Sequence, residues 1–261
     1  MLKVSNALLK VGIDVRRKLF KSVHEQFGGN LRLIVCGGAP MREELGRFFE
    51  SIGVIITNGY GITECSPLVS VNRTHFYDFE SVGVLCPDVK VKIDNPNEDG
   101  EGEILVKGPI VMMGYYNNPE KTAEVLTEDG WFSTGDYGRY DTDLERLYIT
   151  GRKKNLIVLK NGKNIYPEEI EDYLTGRTEI EEVVVSAIKD ENGDEVGLKA
   201  EIYPFQEKIE GLDDDGAYNL IKGVVEEYNA TMPAHKRVIK VEIRKTAFEK
   251  TTSGKIKRKY S

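Results

Sequence analysis

The chain has 261 residues and a mass of 29.4 kDa, enough for one large domain or two unequal ones. Its 36 Lys and Arg against 43 Asp and Glu give a net charge of −7, which disfavours nucleic-acid binding by the surface as a whole. Hydrophobic residues make up 40% of the chain, an ordinary globular value. No apolar run approaches the ~20 residues of a membrane-spanning helix, which excludes an integral membrane protein.

The cysteine content indicates a reducing compartment. Cys36, Cys65 and Cys86 are too few for a disulfide framework, and none belongs to a Cys-x-x-Cys pair. We expect no signal peptide, because Asp14 and Arg16 interrupt the short apolar stretch at the start. The expected location is the cytoplasm.

The opening 30 residues predict a core-facing amphipathic helix. Val15, Leu19 and Val23 recur at intervals of four, and Gly28-Gly29 ends the run.

An α/β unit follows. Apolar runs at 31–36 and 54–57 flank a helical pattern at 41–49, and this order predicts two parallel strands joined by a helix. A parallel sheet needs more strands, with helices on both faces, than the chain supplies. We therefore expect the chain to begin inside a larger domain.

Two further regions differ in pattern. Residues 81–150 predict a small antiparallel sheet or distorted barrel, and residues 152–261 predict a compact α+β domain. The predicted strands are 89–93, 102–107, 146–150, 182–188, 197–203 and 238–243, and the predicted helices are 118–126, one starting at Pro167, and one with Leu220, Val224 and Tyr228 on its apolar stripe.

The first motif whose residues could bind a ligand or take part in catalysis is Asn58-Gly59-Tyr60-Gly61-Ile62-Thr63-Glu64, directly after a predicted strand. A glycine-flanked ring at the carboxyl end of a parallel strand can lie against a flat ligand. The hydroxyl of Thr63 and the carboxylate of Glu64 suit phosphate and Mg²⁺. Glu64 occupies the third glycine position of a dinucleotide fingerprint, which excludes that motif. A glycine-rich turn with a capping Thr is the alternative.

Three later motifs carry charged candidates. Asp136, after Gly135 at an expected strand end, can accept hydrogen bonds from a ribose diol or form a simple turn. Arg152 and Lys154, within 151–155, suit an anionic ligand or a solvated basic turn. Lys255, in Thr251-Thr-Ser-Gly-Lys-Ile256, is either a mobile cation for a phosphate or part of a frayed tail. Ile256 excludes a Walker A loop there.

Together and in this order, the motifs resemble those of the adenylate-forming superfamily, the AMP-binding enzymes. That family includes acyl-CoA synthetases, luciferases and the adenylation domains of peptide synthetases. The segments 151–171 and 12–20 are most similar to bacterial long-chain fatty-acid–CoA ligases. The family's Ser/Thr/Gly-rich phosphate loop has no counterpart before Gly37, so we expect the C-terminal part of a longer enzyme.

The resemblance implies the domain organisation. Residues 1–151 would be the C-terminal part of the large adenylation domain, and 152–261 the small mobile C-terminal domain, with a hinge near Lys154. Gly162 would lie on the loop that faces the thiol acceptor after the small domain rotates.

The resemblance also implies the site. Tyr60 would stack on adenine, Asn58 would reach its edge, and Asp136, assisted by Arg152, would hold the ribose. Thr63 would touch the α-phosphate, Glu64 would hold Mg²⁺, and Lys255 would stabilise the transition state, so these three are the catalytic candidates. The full nucleotide-binding set is Gly38, Ala39, Pro40, Asn58, Gly59, Tyr60, Gly61, Thr63, Asp136 and Arg152.

The implied reaction is that of an ATP-dependent fatty-acid–CoA ligase. A carboxylate attacks the α-phosphate of ATP, pyrophosphate leaves, and the thiol of coenzyme A then displaces AMP. ATP, Mg²⁺, coenzyme A and a fatty acid are the expected cofactors and small-molecule partners. An acyl–acyl-carrier-protein ligase and a non-catalytic nucleotide or acyl-adenylate-binding module are the alternatives. Contact with the inner face of a membrane and self-association of the fragment are left open.

The three histidines fit no catalytic triad or metal spacing. His24 and His235 are predicted at the surface, and His75 near the acyl or phosphate region.

Overall fold

The computed structural model describes residues 2–39, 41–75, 78–252 and 254–258. The chain divides into two compact units, which we call unit 1 (residues 1–149) and unit 2 (residues 150–261). Each unit has its own hydrophobic core.

The opening of unit 1 is three short helices, so the prediction of one continuous helix is wrong. They are α1 (Leu2–Lys10), α2 (Arg16–Leu19) and α3 (Lys21–Gln26). The first helix ends because Gly12 adopts a φ of 81°, and the amide of Ile13 bonds back to the carbonyl of Leu8 at 3.0 Å. Asp14 then accepts a hydrogen bond from the amide of Arg16 at 3.0 Å, which starts the second helix.

The predicted strand–helix–strand unit is confirmed. It consists of β1 (Leu33–Gly37), α4 (Glu43–Ser51) and β2 (Ile55–Gly61). The two strands are parallel and place Cys36 opposite Asn58 and Gly37 opposite Gly59. Two short strands that the sequence did not predict, β3 (Leu68–Val71) and β4 (Val84–Leu85), extend the sheet in the order β1-β2-β3-β4.

The second sheet of unit 1 has four strands. Its elements in chain order are β5 (Lys90–Asp94), β6 (Gly102–Lys107), α5 (Pro119–Val125), β7 (Phe132–Asp141) and β8 (Arg146–Arg152), and the strand order is β5-β6-β7-β8. The strand β7 was not predicted because its sequence is rich in glycine and polar residues. Asp136 therefore lies in the middle of a strand, and its predicted place at a strand end is wrong.

Unit 2 is a compact α+β unit, as predicted. Its elements in chain order are β9 (Ile157–Val158), β10 (Asn164–Ile165), α6 (Pro167–Thr175), β11 (Ile180–Lys189), β12 (Glu195–Pro204), α7 (Gln206–Ile209), α8 (Asp214–Thr231) and β13 (Val238–Ile243). In the main sheet β12 pairs antiparallel with β11 and parallel with β13. The buried stripe of α8 consists of Ala217, Ile221, Val225 and Tyr228. Ile221 and Val225 take the places predicted for their neighbours Leu220 and Val224.

Helix α6 carries a buried acid, Glu171. One carboxylate oxygen accepts a hydrogen bond from the amide of Val185 on β11 at 2.7 Å, and the other pairs with Arg258. Burial raises the pKa of the Glu171 carboxyl to about 7, against the opposing effect of the Arg258 charge and with a smaller contribution from the neighbouring Glu168.

Among the described residues, no helix is both long and apolar enough to pass through a lipid bilayer.

Replacing Gly138 by alanine tests the packing of β7 against β8. A Cβ at Gly138 would lie 2.0 Å from the carbonyl oxygen of Tyr148, so the two strands must separate. We expect the free energy of unfolding of unit 1 to fall by about 2–3 kcal/mol, measured by urea unfolding with Trp131 fluorescence. As a control, a Cβ at Gly223 on α8 meets no atom within 4 Å, so Gly223→Ala should stabilise unit 2 by about 1 kcal/mol, measured by far-UV circular dichroism. An unchanged midpoint for Gly138→Ala would contradict this packing.

The buried carboxyl of Glu171 predicts a pH dependence of stability. Its pKa is about 7 in the folded state against an ordinary 4.5, so the folded state binds the extra proton between these values. The contribution of Glu171 to stability is therefore greatest below pH 4.5 and is lost as the pH rises through 7. Compared with Glu171→Gln, the native protein should lose at most about 3 kcal/mol of unfolding free energy over this range. Parallel stability curves for the two proteins would show that the carboxyl does not titrate in this range.

Candidate functional site

A buried tyrosine–carboxylate pair joins the two sheets of unit 1. The hydroxyl of Tyr60 on β2 donates to Oδ2 of Asp136 on β7 at 2.6 Å. The side chains are almost fully enclosed, with 9% of Tyr60 and 3% of Asp136 exposed. The amide of Asp136 also donates to Oγ1 of Thr134 at 3.1 Å, which fixes the backbone beside the carboxylate. The structure thus brings together the two residues expected to contact adenine and ribose.

The glycines around Tyr60 are explained by the approach of the neighbouring strand β3. A Cβ at Gly59 would lie 2.9 Å from the carbonyl oxygen of Ser70, and one at Gly61 would lie 2.5 Å from that of Pro67. The expected adenine-lining turn follows β1, and its Gly38 adopts a φ of 82° while Ala39 is exposed. Pro40, also expected in this turn, lies outside the described residues.

The side-chain amide of Asn58 is hydrogen-bonded to other residues of the protein. Its Nδ2 donates to the carbonyl of Ser81 at 2.9 Å, and its Oδ1 accepts from Nδ2 of Asn72 at 2.7 Å. Asn72 also donates to the carbonyl of Ser81 at 2.8 Å. The side-chain amide expected at the adenine edge is therefore hydrogen-bonded to Ser81 and Asn72. Asn72 was missed because nothing in its sequence surroundings distinguishes it.

Thr63 and Glu64 occupy a short 3-10 turn after β2. Thr63 is exposed, whereas Oε1 of Glu64 accepts a hydrogen bond from the hydroxyl of Tyr115 at 2.9 Å. Burial, aided by the Glu64 carboxylate, raises the pKa of Tyr115, so this phenol remains a donor at neutral pH. Tyr115 is a second contact that the sequence did not predict, since it is remote in the chain.

The chemistry of Glu64 fits a magnesium site that a nucleotide completes. The described residues contain no group of three or more His, Cys, Asp or Glu that could hold a metal ion on their own. Mg²⁺ usually takes one or two carboxylates, with phosphate oxygens and water in the remaining positions. Glu64 supplies one such carboxylate, held in place by Tyr115.

In unit 2, the segment 151–155 is packed against the start of α6. Asn155 donates through Nδ2 to Oε1 of Glu168. A Cβ at Gly151 would lie 3.0 Å from the ring of Tyr166 and 3.1 Å from Glu168. Lys154 is exposed in this segment, directly before the anchored Asn155.

Gly162 lies in the exposed turn between β9 and β10, with a φ of 78°. Its amide donates to the carbonyl of Leu159 at 2.7 Å, which closes the turn.

Lys255 lies in a hairpin, so the alternative of a frayed tail is wrong for the described residues. The amide of Thr251 donates to the carbonyl of Lys255 at 2.8 Å, and that of Lys255 donates to Oγ1 of Thr251 at 3.1 Å. The amide of Lys257 bonds to the carbonyl of Glu249 at 2.8 Å. Lys255 is exposed near the tip, while Ser253 lies outside the described residues.

The candidate residues divide between the units. Those expected to bind adenosine, α-phosphate and Mg²⁺ lie in unit 1, except for Arg152. Arg152, Lys154, Gly162 and Lys255 lie in unit 2.

One of the histidine predictions is wrong. His24 is 4% exposed, and its Nε2 lies 2.8 Å from the carbonyl oxygen of Ile52, because α3 packs beside the end of α4. His75 is exposed and lines a polar depression of about 600 Å³ with Asp78 and Arg146, whereas His235 is half-buried.

Two models of known families match the chain. Residues 4–116 match the AMP-binding enzyme family, and residues 154–261 match the C-terminal domain of AMP-binding enzymes.

Curated relatives include fatty-acid ligases with two kinds of acceptor. The chain is 39% identical over 169 residues to the long-chain-fatty-acid–CoA ligase FadD15 of Mycobacterium bovis, covering 65% of this chain and 27% of that protein. It is 33% identical over 225 residues to the chloroplastic long-chain-fatty-acid–[acyl-carrier-protein] ligase AEE15 of Arabidopsis thaliana, covering 80% and 30%. The chain therefore spans about 30% of the length of these relatives.

Solved structures have the same fold. The O-succinylbenzoate coenzyme A synthetase MenE of Bacillus subtilis, in complex with ATP and a magnesium ion, superposes with a TM-score of 0.71 at 26% identity, covering 86% of this chain and 45% of that one. The family matches cover most of the chain, and the fold agrees with them. The chain thus belongs to the AMP-binding enzymes, the adenylate-forming family that includes acyl- and aryl-CoA ligases.

Proposed function

We propose that the chain supplies the adenosine-binding part and the mobile C-terminal domain of an ATP-dependent fatty-acid–CoA ligase. The single observation that carries the proposal is the buried hydrogen bond between Tyr60 and Asp136. It holds a flat ring and a carboxylate side by side at the end of a parallel strand pair, the edge where open α/β sheets bind ligands. The similarity to a long-chain-fatty-acid–CoA ligase supports the substrate class.

In this proposal no side chain acts as a nucleophile. The fatty-acid carboxylate attacks the α-phosphate of ATP, pyrophosphate leaves, and the protein contributes orientation and charge. Asp136 holds the ribose hydroxyls, Thr63 contacts the α-phosphate, and Lys255 neutralises the charge that develops at phosphorus. Glu64 would hold Mg²⁺, which when bound lowers the repulsion between the phosphates and the attacking carboxylate.

The second half-reaction is the attack of a thiol on the acyl-adenylate, with AMP as the leaving group. We propose that unit 2 turns about Lys154 between the two steps, which withdraws Lys255 and presents the Gly162 turn to the acceptor. Lys154 suits a hinge because it is exposed.

A carrier protein is the alternative acceptor. The similarity to an acyl-carrier-protein ligase extends over 80% of this chain, more than the 65% covered by the coenzyme A ligase. The two enzymes would differ in the thiol and not in the residues named above. Direct competition between coenzyme A and a phosphopantetheinylated carrier protein for a preformed acyl-adenylate separates them.

Replacing Asp136 by alanine tests the ribose contact. Each charge-assisted hydrogen bond contributes about 1.5–3 kcal/mol, so the loss of two should weaken AMP binding at least a hundredfold. Isothermal titration calorimetry of the chain with AMP measures the change. Asp143→Ala, in the exposed turn after β7, removes the same charge and should leave the affinity unchanged. Equal affinities of native protein and Asp136→Ala would overturn the proposed adenosine site.

Replacing Lys255 by alanine separates the half-reactions in the enzyme that contains this chain. Adenylation should slow by about 10²–10³, the usual effect of removing one donor to a transition-state anion. Thioester formation from a supplied acyl-adenylate should change no more than a few-fold. Lys257→Ala, an exposed neighbour on the same hairpin, is the control. Equal loss of both steps in Lys255→Ala would contradict the assigned role.

A further inference from the structure

A cluster of partly buried charges lies at the base of the hairpin that carries Lys255. Arg258, three residues after Lys255, pairs through Nη2 with Oε2 of Glu171 and lies 3.9 Å from Oε1 of Glu168. Only 17% of the Arg258 side chain and 14% of the Glu171 side chain are exposed. Glu168 and Glu171, on one face of α6, therefore both lie next to the guanidinium group of Arg258.

Each carboxylate has a further partner on a different element. Glu171 accepts the amide of Val185 on β11 at 2.7 Å, which ties the pair to the main sheet of unit 2. Glu168 accepts from Asn155, which ties the same cluster to the segment around Lys154. The base of the hairpin and this segment are thus held by adjacent turns of one helix.

The first arm of the hairpin, residues 248–250, has its own anchor. Glu182, with 5% of its side chain exposed, pairs with Lys250 and accepts the amide of Phe248 at 2.7 Å. Lys255 therefore lies between two fixed points, at residues 250 and 258, although its own side chain is exposed. Because charges lose hydration even when an ion pair is only partly buried, stability alone is a weak reason for such an arrangement, and fixing a geometry is the better-attested use.

We propose that Arg258 and Glu171 are positioning residues for adenylation, fixing the Lys255 hairpin to α6 and, through Glu168, to the segment around Lys154. The Lys255 hairpin, α6 and the segment around Lys154 would then move together as one rigid body. The Lys255 ammonium would therefore reach the α-phosphate in one defined position. The proposal rests on the proposed role of Lys255. Accuracy matters here because a displacement of about 1 Å can cost two orders of magnitude in rate. The planar guanidinium suits this task better than a lysine ammonium, since it can bond Glu171 in a fixed direction while its charge also lies near Glu168.

Amide hydrogen exchange tests the anchoring without any nucleotide. The amides of Lys255 and Lys257 are bonded within the hairpin and report on its order. In Arg258→Met their exchange should be at least tenfold faster than in the native protein, and Arg258→Lys should fall between the two. Lys245→Met removes a well-exposed ion pair with Asp214 in the same unit and should change nothing. Unchanged protection in Arg258→Met would overturn the proposal.

Kinetics of the enzyme that contains this chain test the consequence. Arg258→Met should lower the kcat of adenylation at least tenfold, with the KM for ATP and thioester formation from a supplied acyl-adenylate both within twofold. Equal losses in both half-reactions would reveal a merely structural role and contradict the proposal. Lys255→Ala is measured alongside. If Lys255→Ala slows adenylation and Arg258→Met does not, only the positioning role of Arg258 is refuted. If neither variant slows adenylation, the proposed function of Lys255 is refuted as well.

Discussion

The hydrogen bond between Tyr60 and Asp136 is the contact around which unit 1 is organised. It joins β2 of the parallel pair to β7 of the antiparallel sheet, far apart in the chain, across a buried interface. A carboxylate in such a place is costly unless it is hydrogen-bonded, and the phenol hydroxyl meets that need. The same bond sets an aromatic ring beside an acid, the two groups that contact adenine and ribose in the adenosine site we propose.

Unit 2 uses buried charge in a related way. Its acids on α6 and β11 take their partners from the last described residues of the chain, so the C-terminal hairpin is attached by ion pairs as well as by backbone hydrogen bonds. Lys255, exposed near the tip of the hairpin, therefore lies on a segment that ion pairs fix on both sides. The adenylation chemistry we propose needs this combination, because a side chain that approaches from another unit must arrive in a defined geometry.

The sequence predicted most of the fold but less of the site's interior. Periodicity located β1, α4, β6, α6 and β13 because their apolar residues are evenly spaced. It missed β7, whose Gly135 and Gly138 break the usual strand pattern. It also joined three short helices, of which α1 is separated from α2 by Gly12 and Asp14, and α2 from α3 by Phe20. Motif order predicted Tyr60 and Asp136 as site residues. Their mutual bond, and the contacts of Asn72 and Tyr115, depend on long-range pairing that no local pattern encodes.

A crystal structure of the chain with AMP would show whether Tyr60 and Asp136 bind adenosine. We expect the ribose hydroxyls to lie within about 3 Å of the Asp136 carboxylate and the adenine ring to lie against Tyr60. AMP bound elsewhere, with the pair of Tyr60 and Asp136 undisturbed and distant from the ligand, would contradict it.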